Sequence, residues 1–401
     1  MADLSVSEAR RRILEDVAPT EPENVAIEHA AGRTLAAPLA ATLTQPPFDA
    51  SAMDGYAVRA ADTQILPATL TVIGEAAAGH PFGGSVNTGQ AVRIFTGAPM
   101  PAGTDAIAIQ ENTARDGAKV IVREGIADPG HIRHRGIDFK QGDTLLPAGR
   151  RIGPREIALA ASMGHGTLQV RRRPRIAMLS TGDELVPPGR TPGPGQIVAS
   201  NHLGVGALLE VAGAEVRQLG IARDTREDLA AHIAQAADSD VLVTIGGASV
   251  GDHDLVGPVL EARGMALSFW KIAMRPGKPL MFGKLGAARV VGLPGNPVSS
   301  LVCGRIFLVP LVRALLGQSA ASEDTVQAHA TVALGANGPR EHYMRATSRP
   351  GPDGMPLVTP VRSQDSSLLS ALSEADCLLL RPVEAPAVPS GGLVPILRLD
   401  F

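Results

Sequence analysis

The sequence predicts a multidomain protein of mixed class, an α/β region built on a central parallel sheet combined with all-β regions. Three observations carry this. The chain has 401 residues, too many for one ordinary core. From Arg175 to about residue 318, apolar runs of strand length alternate with segments of helical periodicity, the pattern of a parallel sheet covered on both faces. On either side, short β-type runs are broken by glycine and proline.

The elements follow in order. Residues 7–17 carry Ile13, Leu14 and Val17 at helical spacing, with Ser7 as N-cap candidate. Between about residues 40 and 140, "TLTVIGEA", "AVRIFTG", "DAIAIQEN" and "KVIVREG" read as strands of a small β unit. "GPREIALAASMG" reads as a short helix, with Pro154 in its first turn and Gly164 beyond its end. The alternation then begins. "RIAMLS", "EVRQLGIA", "VLVTIGG", "ALSFWKIA" and "ARVVGLPG" are strands; "SNHLGVGALLEVAGA", "TREDLAAHIAQAA" and "DLVGPVLEARG" are helices. A long helix starting at Pro297 closes the unit. After about residue 320 the β texture returns. There is no internal repeat and no low-complexity tract.

Composition narrows the function classes. Hydrophobic residues make up 44% and charged residues 19%, as in a globular protein. A net charge of -3 gives no global attraction to nucleic acid or to an anionic membrane, so neither is an expected partner. The run Arg171-Arg172-Arg173-Pro174-Arg175 reads as a solvated linker. Two cysteines, Cys303 and Cys377, make neither a disulfide framework nor a zinc spacing. The N-terminus lacks an apolar signal region. The apolar stretch Leu301 to Leu316 is interrupted by Arg305 and Arg313 and reads as a buried helix. The expected location is cytoplasmic.

Chemistry-bearing residues gather where predicted strands end, the edge at which open α/β sheets bind ligands. The first strand ends in Thr181-Gly182-Asp183-Glu184, the second in Arg223-Asp224, the third in Gly246-Gly247. Lys271, Arg275 and Lys278 follow the tryptophan strand, and Pro294-Gly295-Asn296-Pro297 leads into a helix. Each piece also has a plain structural reading: Asp224 or Thr225, and Asp252 or Asp254, as helix caps, Thr181-Gly182-Asp183 as a turn, Lys271 as a surface lysine. Their gathering on one rim favours a shared crevice. Glu184, Asp224 and Asp254 would repel one another, at a cost on the order of 4 kcal/mol per pair about 4 Å apart. A hard cation such as Mg²⁺ would relieve that, and the bases suit a phosphate-like anion. No Walker A loop and no dinucleotide-binding glycine fingerprint is present.

Gly247-Ala248-Ser249-Val250-Gly251 spells the nucleophile elbow of serine hydrolases. The elbow needs an immediate helix and a downstream acid and then histidine. Here Val-Gly-Asp-His-Asp follows Ser249, and His253 is too near, so the elbow is the disfavoured alternative.

Seven motifs occur in an order that resembles the molybdopterin molybdenumtransferase family, which includes the C-terminal domain of gephyrin. They are "SAMDGYAVR", "RIFTGAPMPAGTDAI", "IRHRGID", "STGDEL", "GGASVGDHD", "FWKIAMRPGKP" and "GLPGNPVSS". The resemblance covers the chain from about residue 5 onwards. It implies an elongated homodimer whose chain has four domains. These are a discontinuous linking domain (1–45 and 140–172), a small β domain (46–139), an α/β molybdopterin-binding domain (173–320) and a C-terminal β-barrel (321–401). It further implies insertion of molybdate into adenylylated molybdopterin, releasing AMP and molybdenum cofactor with Mg²⁺ required. A molybdopterin adenylyltransferase and cofactor-receiving molybdoenzymes are the implied partners.

Carried over motif by motif, Glu184, Asp224 and Asp254 resemble acidic groups of the pocket, with Glu184 and Asp254 as Mg²⁺ ligands. Lys271 and Arg275 resemble oxyanion contacts, with Lys278 beside them. Thr181, Gly182, Asp183, Gly246, Gly247, Ser249, Gly295 and Asn296 frame the substrate, and Pro294 and Pro297 shape the wall. Asp54 and Thr96 resemble residues that the other subunit adds to the cleft, and Arg133 and Asp138 match more loosely. Arg345 in "YMRA" and Ser366 in "QDSS" would approach molybdate from the last domain. Arg275 stands where some relatives have lysine, which replaces a point charge by a planar fork. His253 is read as an edge contact. A non-catalytic carrier or scaffold of the cofactor is the alternative reading of the same residues.

Overall fold

The computed structural model describes residues 3–125, 127–247, 254–318, 325–352 and 354–399. The N-terminal helix runs Val6–Leu14 and is capped by Ser5, not Ser7: the Ser5 hydroxyl accepts from the Glu8 amide at 3.2 Å. Its Val6, Ala9 and Ile13 are buried in the core of the α/β unit.

Two segments far apart in sequence then pair. Pro22–Ala26 lies antiparallel to Thr167–Arg171, and Leu39–Ala40 to Thr144–Leu146. Helix Pro154–Ser162 packs on them, with Ile157, Leu159 and Ala160 against Leu35, Leu168 and Val170. The arginine run is not a free linker: Arg171 and Arg172 are half-buried and find acceptors. Arg171 donates to the carbonyls of Thr20 and Ala36, and Arg172 pairs with Asp240 at 2.9 Å. Between the paired segments sits a six-stranded sheet in the order 106–109, 55–58, 90–94, 68–76, 119–122, 113–116.

In the α/β unit the strands Glu215–Ala222, Arg175–Thr181, Val241–Ile245 and Ala288–Leu293 are parallel neighbours in that order. Alternate residues face opposite sides. Ile176 and Met178 meet helices Asn201–Ala212 and Pro297–Cys303, while Ala177 and Leu179 meet helices Arg226–Ala234 and Val256–Ala262. The sheet is mixed, however, rather than parallel throughout. Pro279–Leu285 turns back at Gly286 (φ +59°) to pair antiparallel with Ala288–Leu293, and Ala266–Lys271 adds antiparallel outside it. A two-residue turn with glycine in the left-handed region favours such a hairpin.

The closing helix Pro297–Leu315 is long and apolar enough to cross a membrane, but it is 78% buried inside the fold. It widens to a π turn at Gly304–Leu308, just before Pro310, which has no amide to offer the preceding turn. The last unit is barrel-like. Strands Glu341–Pro350, Pro356–Pro360, Thr325–Ala330, Leu393–Arg398 and Cys377–Arg381 pair in a ring, the last returning to the first.

Candidate active site

The rim is built by tight turns at the carboxyl ends of the parallel strands. After Thr181 the chain bends at Gly182 (φ +148°), a conformation that side chains rarely adopt, and the Glu184 carboxylate folds back to within 2.4 Å of where a Cβ would stand. The Asp183 carboxylate accepts from the Asp224 amide at 3.3 Å, tying the first loop to the second. Thr225, not Asp224, caps the following helix, accepting from the Asp228 amide at 3.3 Å. Asp224 does not cap the helix, and neither it nor Asp254 is among the residues that line the cleft at this edge. Partial burial raises the Asp224 pKa, and the neighbouring charges of Asp183 and Glu184 raise it further. Such unrelieved repulsion is what a cation would remove.

The third loop passes close over the first. A Cβ at Gly246 (φ +91°) would lie 2.6 Å from the Thr181 carbonyl, and one at Gly247 (φ +61°) 2.4 Å from Val256. Thr181 is buried, and its hydroxyl has no hydrogen-bond partner among the described residues. Ser249 and His253 lie outside the described residues. Asp254 receives the Val256 amide at 3.2 Å, so one of its oxygens serves the start of helix Val256–Ala262.

A cleft of about 690 Å³ opens at this edge. Glu184, Arg275, Lys278, Pro294, Gly295 and Asn296 line one side; Arg340, Gln364, Asp365 and Ser366 of the barrel line the other. The two sides are joined by hydrogen bonds. Asn296 donates to the Ser366 hydroxyl at 3.0 Å, and the Val298 amide to the Ser366 carbonyl at 3.1 Å. Met274–Arg275 pairs parallel with Glu341–His342. Asn201 holds the Gly295 carbonyl at 2.7 Å. Lys278 forms an ion pair at 3.0 Å with Asp3, whose neighbour Leu4 bonds to the Lys271 carbonyl.

Three groups of expected residues lie elsewhere. Lys271 ends its strand exposed and is not among the residues lining the cleft. Arg345 is 1% exposed and faces inward, so it does not reach the cleft. Its guanidinium donates to the carbonyls of Ser363 (3.1 Å), Asp365 (2.9 Å) and Leu368 (3.3 Å), which makes it the post beneath the loop carrying Ser366. Asp54, Thr96, Arg133 and Asp138 belong to the small β unit and do not line this chain's cleft. There the Asp54 carboxylate accepts from the Thr96 amide and hydroxyl, both at 2.8 Å, which holds its pKa down. Arg340, Gln364, Asp365 and Asp3 were not anticipated. "GPREHY", a turn pair entering a strand, was the available signal for Arg340.

No group of three or more acidic, histidine or cysteine side chains converges as a metal cage among the described residues. Mg²⁺ commonly takes only one or two carboxylates and fills its shell with water and substrate phosphate. The Glu184 carboxylate, whose charge adds to the burial that raises the Asp224 pKa, fits that mode together with Asp224.

Fold and cleft together define a multidomain α/β scaffold with a polar cleft, lined by both acidic and basic side chains, between sheet rim and barrel. Comparison with known proteins gives the family. Residues 4–164 match "MoeA N-terminal region (domain I and II)", residues 177–314 "Probable molybdopterin binding domain", and residues 327–399 "MoeA C-terminal region (domain IV)". The chain is 38% identical to the molybdopterin molybdenumtransferase of Haemophilus influenzae, over 98% of each chain. It is 36% identical to that of a Nostoc species, over 95% of this chain and 89% of the relative. A crystal structure of the molybdopterin biosynthesis MoeA protein from Pyrococcus horikoshii superposes with a TM-score of 0.85 at 30% identity, over 100% of both chains. The chain belongs to the molybdopterin molybdenumtransferase family, transferases of molybdenum cofactor biosynthesis.

Proposed function

We propose that this chain inserts molybdate into adenylylated molybdopterin, releasing AMP and molybdenum cofactor, in a Mg²⁺-dependent reaction in the cytoplasm. The observation that carries the reading is the convergence of Glu184, Arg275, Lys278 and Ser366 on one cleft at the carboxyl edge of the sheet. A passive carrier has no use for carboxylates that destabilise one another, whereas a site for a phosphoanhydride and a divalent ion does.

In this reading Arg275 and Lys278 bind the oxyanion, with the guanidinium presenting two parallel donors. Asn296 and Ser366 fix the mouth of the site by bonding to each other. Glu184 and Asp224, with Asp254 at the next loop, would hold Mg²⁺, which when bound offsets charge on the phosphates. Gly246 and Gly247 let the third loop lie against Thr181. On the resemblance of their motifs, Asp54 and Thr96 would complete the site from a second subunit, and we propose a homodimer with a shared cleft. A molybdopterin adenylyltransferase and acceptor molybdoenzymes are the proposed partners.

The test is AMP release from adenylylated molybdopterin. Release is expected only with molybdate and Mg²⁺ together, and is expected to be lost in Glu184→Ala with the fold intact. A protein that binds molybdopterin but never releases AMP would establish the carrier reading instead.

A further inference from the structure

The segment that carries Lys278 is an excursion from the sheet. It leaves strand Ala266–Lys271 and returns as strand Pro279–Leu285. Its Ile272 and Met274 are buried in the core of the α/β unit. On one edge it meets the barrel: Met274–Arg275 pairs with Glu341–His342, and the Ala273 carbonyl accepts from the Glu341 amide at 2.9 Å. On the other edge lies the N-terminal segment. Leu4 bridges in parallel to Ile272. Its amide donates to the Lys271 carbonyl at 3.1 Å, and its carbonyl accepts from the Ala273 amide at 2.7 Å. Ala273 is thus hydrogen-bonded on both edges, with Leu4 as the added strand.

Leu4 is itself fixed. It packs against the same core, and helix Val6–Leu14 follows at once, with Val6, Ala9 and Ile13 buried. The far end of that helix is held by buried Arg289, which donates to the carbonyls of Ile13 (3.3 Å) and Glu15 (2.7 Å). The backbone at Asp3 is therefore placed by the α/β unit. From there its carboxylate pairs with Lys278 at 3.0 Å, the two side chains being 27% and 45% exposed. An ammonium has three donors, so Lys278 keeps two for the cleft it lines. Lysine has a flexible four-carbon stem, and a carboxylate on a fixed backbone narrows the positions its ammonium takes. A pair this exposed adds little to stability. Its consequence is where the ammonium sits.

We propose that Asp3 is a positioning residue of the active site: the N-terminal segment, anchored through Leu4, aims Lys278 into the cleft. Asp3 does not itself line the cleft and acts only through Lys278. The proposal rests on the reading of the chain as a transferase working in this cleft. Competition between Asp3 and an anionic ligand for the same ammonium would have the opposite sign. It would require the ligand to displace Asp3, and an ammonium with two further donors does not demand that.

The test is steady-state AMP release from adenylylated molybdopterin by the full-length protein, with KM and kcat read separately. The pair biases Lys278 by no more than its own strength, so Asp3→Ala is expected to raise KM about two- to fivefold. The loss should fall on KM rather than kcat, as for a contact made alike in ground and transition states. Asp3→Glu returns the charge on a longer stem and should recover part of it. Asp16→Asn is the control. It removes an equal charge from an exposed pair with Lys284, outside the cleft lining, and asparagine tolerates the left-handed backbone there (φ +55°). Its KM should match that of the unsubstituted protein. Thermal midpoints of all these variants should coincide, because neither pair is buried. A double-mutant cycle isolates the route: in a Lys278→Ala background, Asp3→Ala should change kcat/KM no further. A KM that falls or stays unchanged in Asp3→Ala, an equal rise in Asp16→Asn, or a full additional loss in the Lys278→Ala background overturns the role of Asp3 and leaves the reading of the activity standing. Absence of AMP release by the unsubstituted protein overturns that reading and this role with it.

Discussion

Replacing Gly246 by alanine separates the geometry of the rim from its chemistry. Gly246 has φ +91°, a conformation that costs an L-residue roughly 1–2 kcal/mol. Its new Cβ would lie 2.6 Å from the Thr181 carbonyl oxygen and 3.0 Å from the Thr181 hydroxyl. The carbonyl is backbone inside the parallel sheet and cannot swing away, so a steric cost of about 1–3 kcal/mol is added. The expected total is about 2–5 kcal/mol. Gly264 is the control: it has the same φ of +91° but nothing within 4 Å of its Cβ position, so Gly264→Ala should lose only the backbone part. The chain has one tryptophan, Trp270, which packs against helix Val256–Ala262 in the same unit, so urea unfolding followed by its fluorescence reads this unit alone. With Thr181 fixed in the sheet, Gly246→Ala should push the third loop off the rim beside Glu184 and so lower AMP release while Gly264→Ala does not. Equal destabilisation by the two substitutions would refute the argument that the third loop is pressed onto the first.

Other outcomes follow from the same geometry. Asp224→Asn removes a carboxylate whose ionisation is opposed by burial and by Asp183 and Glu184, so it should raise the thermal midpoint slightly, by under about 1 kcal/mol after solvent screening, while turnover falls. A lowered midpoint would contradict the repulsion. Arg345→Lys should cost about 2–4 kcal/mol, because one ammonium cannot satisfy the three carbonyls now served by the buried fork. Urea unfolding of the barrel, followed by far-ultraviolet circular dichroism, measures it. His342 has its folded pKa lowered from 6.5 to about 4, so its neutral form stabilises the fold above pH 6.5 and that contribution is lost as pH falls towards 4. The ring keeps some contact with solvent, so the loss is about 1–2 kcal/mol rather than the full value. Stability measured from pH 7 to 4 should fall less steeply in His342→Gln, and parallel profiles would count against it.

Much of this was legible in the residues, for physical reasons that differ from element to element. The run "RIAMLS" has no polar alternation because both faces of its strand are covered, and that continuity marked a central parallel strand. The clustering of acids and bases after strand ends was equally visible, since open α/β sheets place ligands there. The hairpin at Gly286 was missed because "PLMFGKLGAARVVGL" is apolar apart from Lys284 and Arg289, and strand direction leaves no mark on such a run. Arg345 could have been placed from parity. It shares a strand face with Tyr343, and both are buried, at 1% and 4% exposed. Arg340 precedes the strand, where parity gives no guidance. The Asp3–Lys278 pair joins residues 275 positions apart and had no local signal at all.

The placement of these arginines bears on how the two walls of the cleft act together. A ligand held only by the sheet rim would be indifferent to the barrel. Here the segment carrying Arg275 is itself a strand partner of Glu341–His342, and Asn296 bonds to Ser366. The backbone that aims one guanidinium therefore also fixes the start of the strand next to the other. Reorienting the barrel would cost the pairing at 274–275 as well as the Ser366 contacts, so the anion site and the domain junction are one mechanical unit. Loops on independent domains would need binding energy to bring them together, whereas this junction holds both walls of the cleft in place before any ligand arrives.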